Sequence, residues 1–292
     1  MILRFAPSPN GPLHLGHAFS ALENQRMAEA LGGTLLLRME DIDTTRCTPE
    51  LERAILDDLD WLEIDWQPPL LRQSERFDAY AEMAETLKRE GLIYPCFATR
   101  GEIARAVAQH EAGGKRWPRD PDGAPLYPAL HKTLPDSEVQ TRMAAGEPHA
   151  WRLNMEGALD RLGQTKLTWQ EGGAGPNGET GTIAADPSLW GDAVLIRKDT
   201  PASYHLSCVG DDAVQNISHI VRGQDLFHAT ALHRLLHALL GLPEPRYHHH
   251  RLILDATGEK LSKSTGATGL QELRATGRRA DEIKALLYHQ HD

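Results

Sequence analysis

The N-terminal segment leaves this chain little choice of local structure. Residues 2–6 form a short, mostly apolar run of strand type, and Pro7, Pro9, Gly11 and Pro12 then exclude any regular element. From Leu15 the apolar residues Leu15, Phe19 and Leu22 recur at helical spacing. The order is strand, rigid loop, helix. A strand-like run at 34–39 follows, which makes a β-α-β start. Such a turn aims the helix's unpaired N–H groups and positive dipole end into the crevice beyond the strand, a natural place for phosphates.

His14 and His17 sit at that helix start, where an imidazole N–H can donate to a phosphate oxygen, and Gly16 leaves room for a nucleotide against the backbone. The segment contains neither G-x-G-x-x-G nor a G-K-[ST] P-loop. By themselves the histidines read equally well as solvent residues of a Pro-rich loop, since the chain has 15 of them. Near the other end lies KLSKS at 260–264, after a strand-like stretch at 250–254 and a turn at 255–259. Lys260 and Lys263 bracket hydroxyl residues, a combination suited to a triphosphate and to charge developing during phosphoryl chemistry. Alone, this motif is equally a solvated lysine loop.

Taken together and in order, RFAPSP at 4–9, LHLGH at 13–17, LRMEDID at 37–43, the block at 203–226 ending in VRGQDL, and LILDATGEKLSKS at 252–264 resemble the glutamyl-tRNA synthetases, and within them the short glutamyl-Q tRNA(Asp) synthetases. The resemblance covers nearly the whole chain. It implies a class I synthetase Rossmann-type α/β fold: a doubly wound parallel sheet, an inserted α/β subdomain and a short helical C-terminal tail. The corresponding divisions are 1–95 and 190–255 for the two halves of the catalytic domain, 96–189 for the insertion, and 256–292 for the KLSKS loop and final helices.

The resemblance further implies ATP-dependent activation of L-glutamate, with Mg²⁺ accompanying ATP. Arg4, Phe5, Ala6, Pro7 and Ser8 would surround the amino acid, Glu40 would face its ammonium, Tyr204 would border the side-chain pocket and Arg222 would pair with the γ-carboxylate. His14, Gly16, His17 and Lys263 would bind ATP, with His14, His17, Lys260 and Lys263 acting in catalysis. Independently, Glu40, Tyr204 and Arg222 fall at expected strand ends, where an open α/β sheet places its ligand, and an arginine fork suits a carboxylate. The implied acceptor is queuosine in the anticodon loop of tRNA(Asp), since little chain follows the KLSKS motif to carry an anticodon-reading domain. A truncated synthetase charging a tRNA 3′ end, an adenylating enzyme with another acceptor, and an inactive tRNA-binding paralogue are the alternatives.

The family's structural zinc is held by C-x-C, then a tyrosine and a cysteine. Here the first pair reads Cys96-Phe97-Ala98 and the later pair Tyr127 and His131, so only Cys96, Tyr127 and His131 remain as donors and no metal is expected. The chain's 3 cysteines are too few and too scattered for a disulfide framework. With no apolar run of about 18 residues and no signal-peptide pattern, a cytoplasmic monomer is expected. A net charge of −10 runs against a nucleic-acid partner unless the basic residues gather on one face. Candidates are Lys115, Arg116, Arg119, Arg246, Arg251, Arg274, Arg278 and Arg279. Residues 203–209 read as a further strand. The Gly-rich stretch 172–181 has no chemical reading.

Overall fold

The computed structural model describes residues 1–254 and 268–289. Strands β1 (Ile2–Phe5), β2 (Thr34–Met39) and β3 (Gln67–Arg72) are parallel and adjacent in that order, linked by helices α1 (Leu15–Ala30) and α2 (Pro49–Trp61). α2 begins where expected because Thr48 caps it, its hydroxyl accepting the Leu51 N–H, and Pro49 follows at the first helical position. α3 (Phe77–Arg89) leads to β4 (Ile93–Cys96), and α4 (Arg100–Glu111), α5 (Asp136–Ala144), β5 (Ala150–Leu153) and α6 (Met155–Leu162) come next. Then come β6 (Thr168–Glu171), β7 (Gly181–Ala184), β8 (Val194–Ile196), α7 (Tyr204–Val214), β9 (His219–Gly223), α8 (Ala229–Leu240), β10 (Arg246–His250), α9 (Leu270–Ala275) and α10 (Ala280–His289).

β9, β10 and β6 continue the parallel arrangement, with β7 antiparallel at the edge. β1 and β9 lie side by side without a regular ladder. Ser218 stitches them instead: its N–H donates to the Ile2 carbonyl at 2.9 Å, and its hydroxyl accepts the Ile2 N–H at 2.9 Å. Chain order reverses at this seam, and there the crevice opens.

Three expectations change. Residues 203–209 are not a strand: Ser203 precedes α7, and Leu206 through Asp212 are buried nearly all round. A run buried on every side loses the period that separates helix from strand. The last strand is Arg246–His250, not 250–254, so the histidine triple lies inside it. Hydrogen bonding also departs from the expected insertion limits at 96 and 189. β4, β5 and β8 form a separate antiparallel sheet, so that unit takes in residues on both sides of those limits. β6 meanwhile returns to pair with β10. The free edge of β10 offers β6 a parallel partner that the short antiparallel sheet does not.

One core, including Leu3, Phe5, Leu22, Leu37, Leu59 and Ile283, fills the space between β1–β2 and helices α1, α2 and α10. A second, including Leu153, Leu206, Leu232 and Leu236, joins the antiparallel sheet to α7 and α8. Asp58 of α2 is an anomaly at the edge of the first. It is fully buried, and neither carboxylate oxygen accepts a hydrogen bond among the described residues. Arg274 Nη2 of α9 is 3.7 Å away. Burial raises its pKa to about 6, with Arg274 opposing. A carboxyl whose folded pKa is raised contributes stability below its unfolded pKa, and loses that contribution as pH rises through about 6. Asp58→Asn should therefore raise Tm by roughly 2–4 °C at about pH 8 and leave it unchanged near pH 4; thermal melts of both proteins at the two pH values check this.

Candidate active site

A cavity of about 560 Å³ opens beyond the C-terminal ends of β1, β2, β9 and β10. Arg4, Phe5, Ala6, Pro7 and Ser8 form one wall as β1 runs into the Pro-rich loop, and His14, Gly16 and His17 line it from the start of α1. Glu40 enters from the end of β2, Arg222 from β9, and Tyr204 from the first turn of α7 rather than from a strand. Lys260 and Lys263 lie outside the described residues. Leu252 and Ile253, shortly before them in sequence, line the cavity.

The two histidines build the start of α1. His14 is the N-cap, and its Nδ1 accepts the Gly16 N–H at 3.1 Å. His17 Nδ1 accepts the His14 N–H at 3.2 Å, and the rings stack with centroids 3.8 Å apart. Because both Nδ1 atoms accept, each ring carries its proton on Nε2, which makes Nε2–H the donor. Gly16 has a reason beyond ligand space: a Cβ there would sit 3.0 Å from His14 Cε1 and 3.1 Å from its Nδ1. Any side chain would push the cap away.

Charge is arranged unequally across the cavity. Asp212 of α7 accepts from Arg4 Nε at 2.9 Å and from Arg38 Nη1 at 2.8 Å. Burial opposes its ionisation, but the two guanidinium groups hold it well below the usual carboxylate range. Arg38 also reaches Glu40 at 3.3 Å; burial dominates for Glu40 and raises its pKa. Arg222 is different. It is 4 % exposed and makes no ion pair among the described residues. Its five N–H directions meet neutral acceptors: His249 at 3.1 Å, His233 at 3.3 Å, the Tyr204 hydroxyl at 3.4 Å, the Leu226 carbonyl at 3.1 Å and the Thr230 hydroxyl at 2.8 Å. A buried guanidinium facing a cavity with no carboxylate against it is poised for an anionic ligand.

His233, Thr230 and Glu171 are not singled out as site residues in the sequence, and the triple containing His249 reads there only as structural or phosphate-adjacent. The signals were present in the HHH triple of β10 and in the EGG that ends β6. The Gly-rich stretch has a structural task there. A Cβ on Gly173 would lie 2.3 Å from the His249 carbonyl oxygen, and the Gly173 N–H donates to Glu171 Oε1 at 2.9 Å.

The residues expected at a zinc site gather without completing one. Tyr127 lies close to Cys96, and its hydroxyl accepts the His131 N–H at 3.0 Å. His131 Nδ1 is buried without a partner among the described residues. Ala98 offers no donor, and among the described residues no group of three or more His, Cys, Asp or Glu is disposed to hold a metal. Two conventional ligands and a phenol do not fit a closed four-donor zinc centre.

Residues 1–283 match the family model described as "tRNA synthetases class I (E and Q), catalytic domain". A glutamyl-Q tRNA(Asp) synthetase of Rhodobacter capsulatus is 43 % identical, the alignment covering 98 % of this chain and 99 % of that protein. A glutamate–tRNA ligase of Maricaulis maris is 35 % identical over 93 % of this chain but only 56 % of its own length. The crystal structure of a glutamate tRNA ligase from Elizabethkingia meningosepticum, in complex with its amino acid, superposes with a TM-score of 0.74 at 30 % identity. That match covers 91 % of this chain and 52 % of the other. Fold, motif order and similarity along the chain agree, and the chain belongs to the class I tRNA synthetases of the E and Q group.

Proposed function

We propose that this enzyme activates L-glutamate with ATP and Mg²⁺, without needing tRNA, and transfers the glutamyl group to the queuosine base in the anticodon loop of tRNA(Asp). The observation that carries the reading is Arg222, a buried cation in the cavity wall with no carboxylate paired to it among the described residues. The γ-carboxylate of glutamate supplies the missing anion. Glu40 faces the α-ammonium, and the wall from Arg4 to Ser8 with Tyr204 encloses the remainder. A cavity of about 560 Å³ lies within the range usual for small-molecule sites.

In the activation step an oxygen of the α-carboxylate attacks the α-phosphorus of ATP. A carboxyl–phosphate bond forms, the bond to the β-phosphate bridging oxygen breaks, and its electron pair leaves with pyrophosphate. His14 and His17 donate Nε2–H to phosphate oxygens, and Lys260 and Lys263 stabilise the charge that develops as pyrophosphate departs. No covalent bond to the enzyme is required. In the second step a queuosine hydroxyl attacks the glutamyl carbonyl and AMP leaves. This acceptor is favoured because the Rhodobacter relative, so named, matches over nearly its full length, whereas the glutamate–tRNA ligases extend well beyond the match. The segment 96–189 receives the RNA, with exposed Lys115, Arg116 and Arg119 as candidate phosphate contacts. The setting is the cytoplasm, where that RNA resides.

Pyrophosphate exchange with glutamate alone should proceed, and label from glutamate should appear in tRNA(Asp) at the anticodon loop. Exchange only after tRNA addition, or label at the 3′ end, points to the truncated-synthetase alternative. In the same assay Lys263→Ala should lower kcat by about 10²–10³-fold with little change in the KM for ATP.

Arg222→Gln should abolish glutamate activation and permit weak activation of glutamine, because an amide cannot supply the lost charge. Unchanged glutamate kinetics with a lowered Tm would reduce Arg222 to a structural residue.

Purified protein should carry far less than one zinc per chain, and chelator should leave its Tm unchanged. Stoichiometric zinc by elemental analysis would instead assign Cys96, Tyr127 and His131 as ligands.

A further inference from the structure

Among the described residues no carboxylate contacts Arg222 to offset its charge at 4 % exposure, so the countercharge is sought further back. The hydrogen bonds trace it. Arg222 Nε donates to His249 Nε2 at 3.1 Å, which requires that nitrogen to carry the lone pair. The imidazole proton therefore sits on Nδ1, which lies 2.6 Å from Glu171 Oε2. Both side chains are fully buried. Glu171 is clamped besides by the His249 N–H at 2.8 Å, the Gly173 N–H at 2.9 Å and Trp169 Nε1 at 3.3 Å. On the other flank Arg222 Nη1 meets His233 Nδ1, and His233 Nε2 lies 3.2 Å from His205 Nδ1. That second branch ends on a neutral imidazole and contains no carboxylate.

Resting on the glutamate reading above, the geometry points to Glu171 and His249 as positioning residues that hold Arg222 ready for a substrate carboxylate, with Glu171 balancing its charge through an intervening neutral imidazole. A carboxylate paired directly with the guanidinium would cancel most of its field, and the substrate anion would then bind against a neutral pair. Interposing an imidazole lengthens the charge separation, and Coulomb attraction falls with distance. The fold keeps its compensating anion while the cavity edge of Arg222 keeps its attraction for a ligand anion. Burial holds His249 neutral, its pKa lowered to about 4 despite Glu171. Burial opposes the ionisation of Glu171, but the hydrogen bonds from the His249 ring and from the His249 and Gly173 amides, with the attraction of His249, together bring its pKa down to about 2. Gly173 is part of the device, since only a residue without Cβ lets the loop there pass the β10 backbone.

The test is pyrophosphate exchange with wild type, Glu171→Gln, Glu171→Asp and His249→Gln, together with the nitrogen chemical shifts of the wild-type His249 ring. Glu171→Gln and His249→Gln should raise the KM for glutamate by about tenfold or more and narrow the preference for glutamate over glutamine, with the KM for ATP unchanged. Glu171→Asp should recover part of the loss. A purely structural role would lower Tm and damage the ATP and glutamate constants together, and that result, or an unaltered KM for glutamate, overturns the inference. If the variants do not fold, the wild-type ring decides: a neutral Nδ1–H tautomer supports it, and an Nε2–H or doubly protonated ring overturns it. Wild type that exchanges nothing with glutamate would defeat the functional reading separately, and the His249 tautomer would still report on the relay.

Discussion

The arrangement turns on one buried carboxylate. Asp212 is 3 % exposed and grips Arg4 of β1 and Arg38 of β2 from α7. It thereby ties two adjacent strands to a helix that comes much later in the chain, at the point where the strands end and the cavity begins. Removing one partner from a buried charge pair typically costs roughly 3–5 kcal/mol, and here Arg4 would lose its carboxylate while Arg38 kept only Glu40 at 3.3 Å. Through Arg38 the same carboxylate fixes where Glu40 stands. The Cys208 thiol shares the cluster, donating to Asp212 Oδ2 at 3.5 Å, and burial pushes its pKa up to about 12. It is a packing residue, and its sulfur stays protonated.

The opposite treatment of Arg222 gives the cavity its polarity. Arg4 and Arg38 are neutralised where they stand, so they contribute shape and hydrogen-bond donors and little net field. Arg222 keeps its field. Three arginines within one structural neighbourhood thus perform two different tasks, and the difference lies in whether a carboxylate touches them.

Much of this was legible in the sequence because the informative segments are short, local and chemically restrictive. The Pro-rich exit from β1, the histidines at the start of α1 and the glutamate after β2 could sit in few other ways, and the cavity collects them all. Tyr204 lines the cavity from a helix and not from the expected strand end, since α7 is buried around its circumference and lacks the polar face that betrays a helix. The partners of Arg222 were illegible for another reason. Glu171 and His249 come from strands distant in sequence, and only the return of β6 to the edge of β10 makes them neighbours. Local pattern carries no trace of that pairing. The Gly-rich stretch after β6 offered no chemical reading because Gly173 answers to the β10 backbone, not to any motif of its own.

The capping role of His14 and His17 limits what this phosphate-facing corner can become. A lysine or arginine there would bring a full positive charge, which an anionic nucleotide would welcome. Neither side chain can accept a hydrogen bond. The Gly16 and His14 amides would then lose their acceptors, and the first turn of α1 would fray. A neutral imidazole offers a lone pair to the helix and an N–H to the ligand from one ring. The corner is confined to a side chain that can accept from the helix, and the strong cations this chemistry needs must be supplied from elsewhere in the chain.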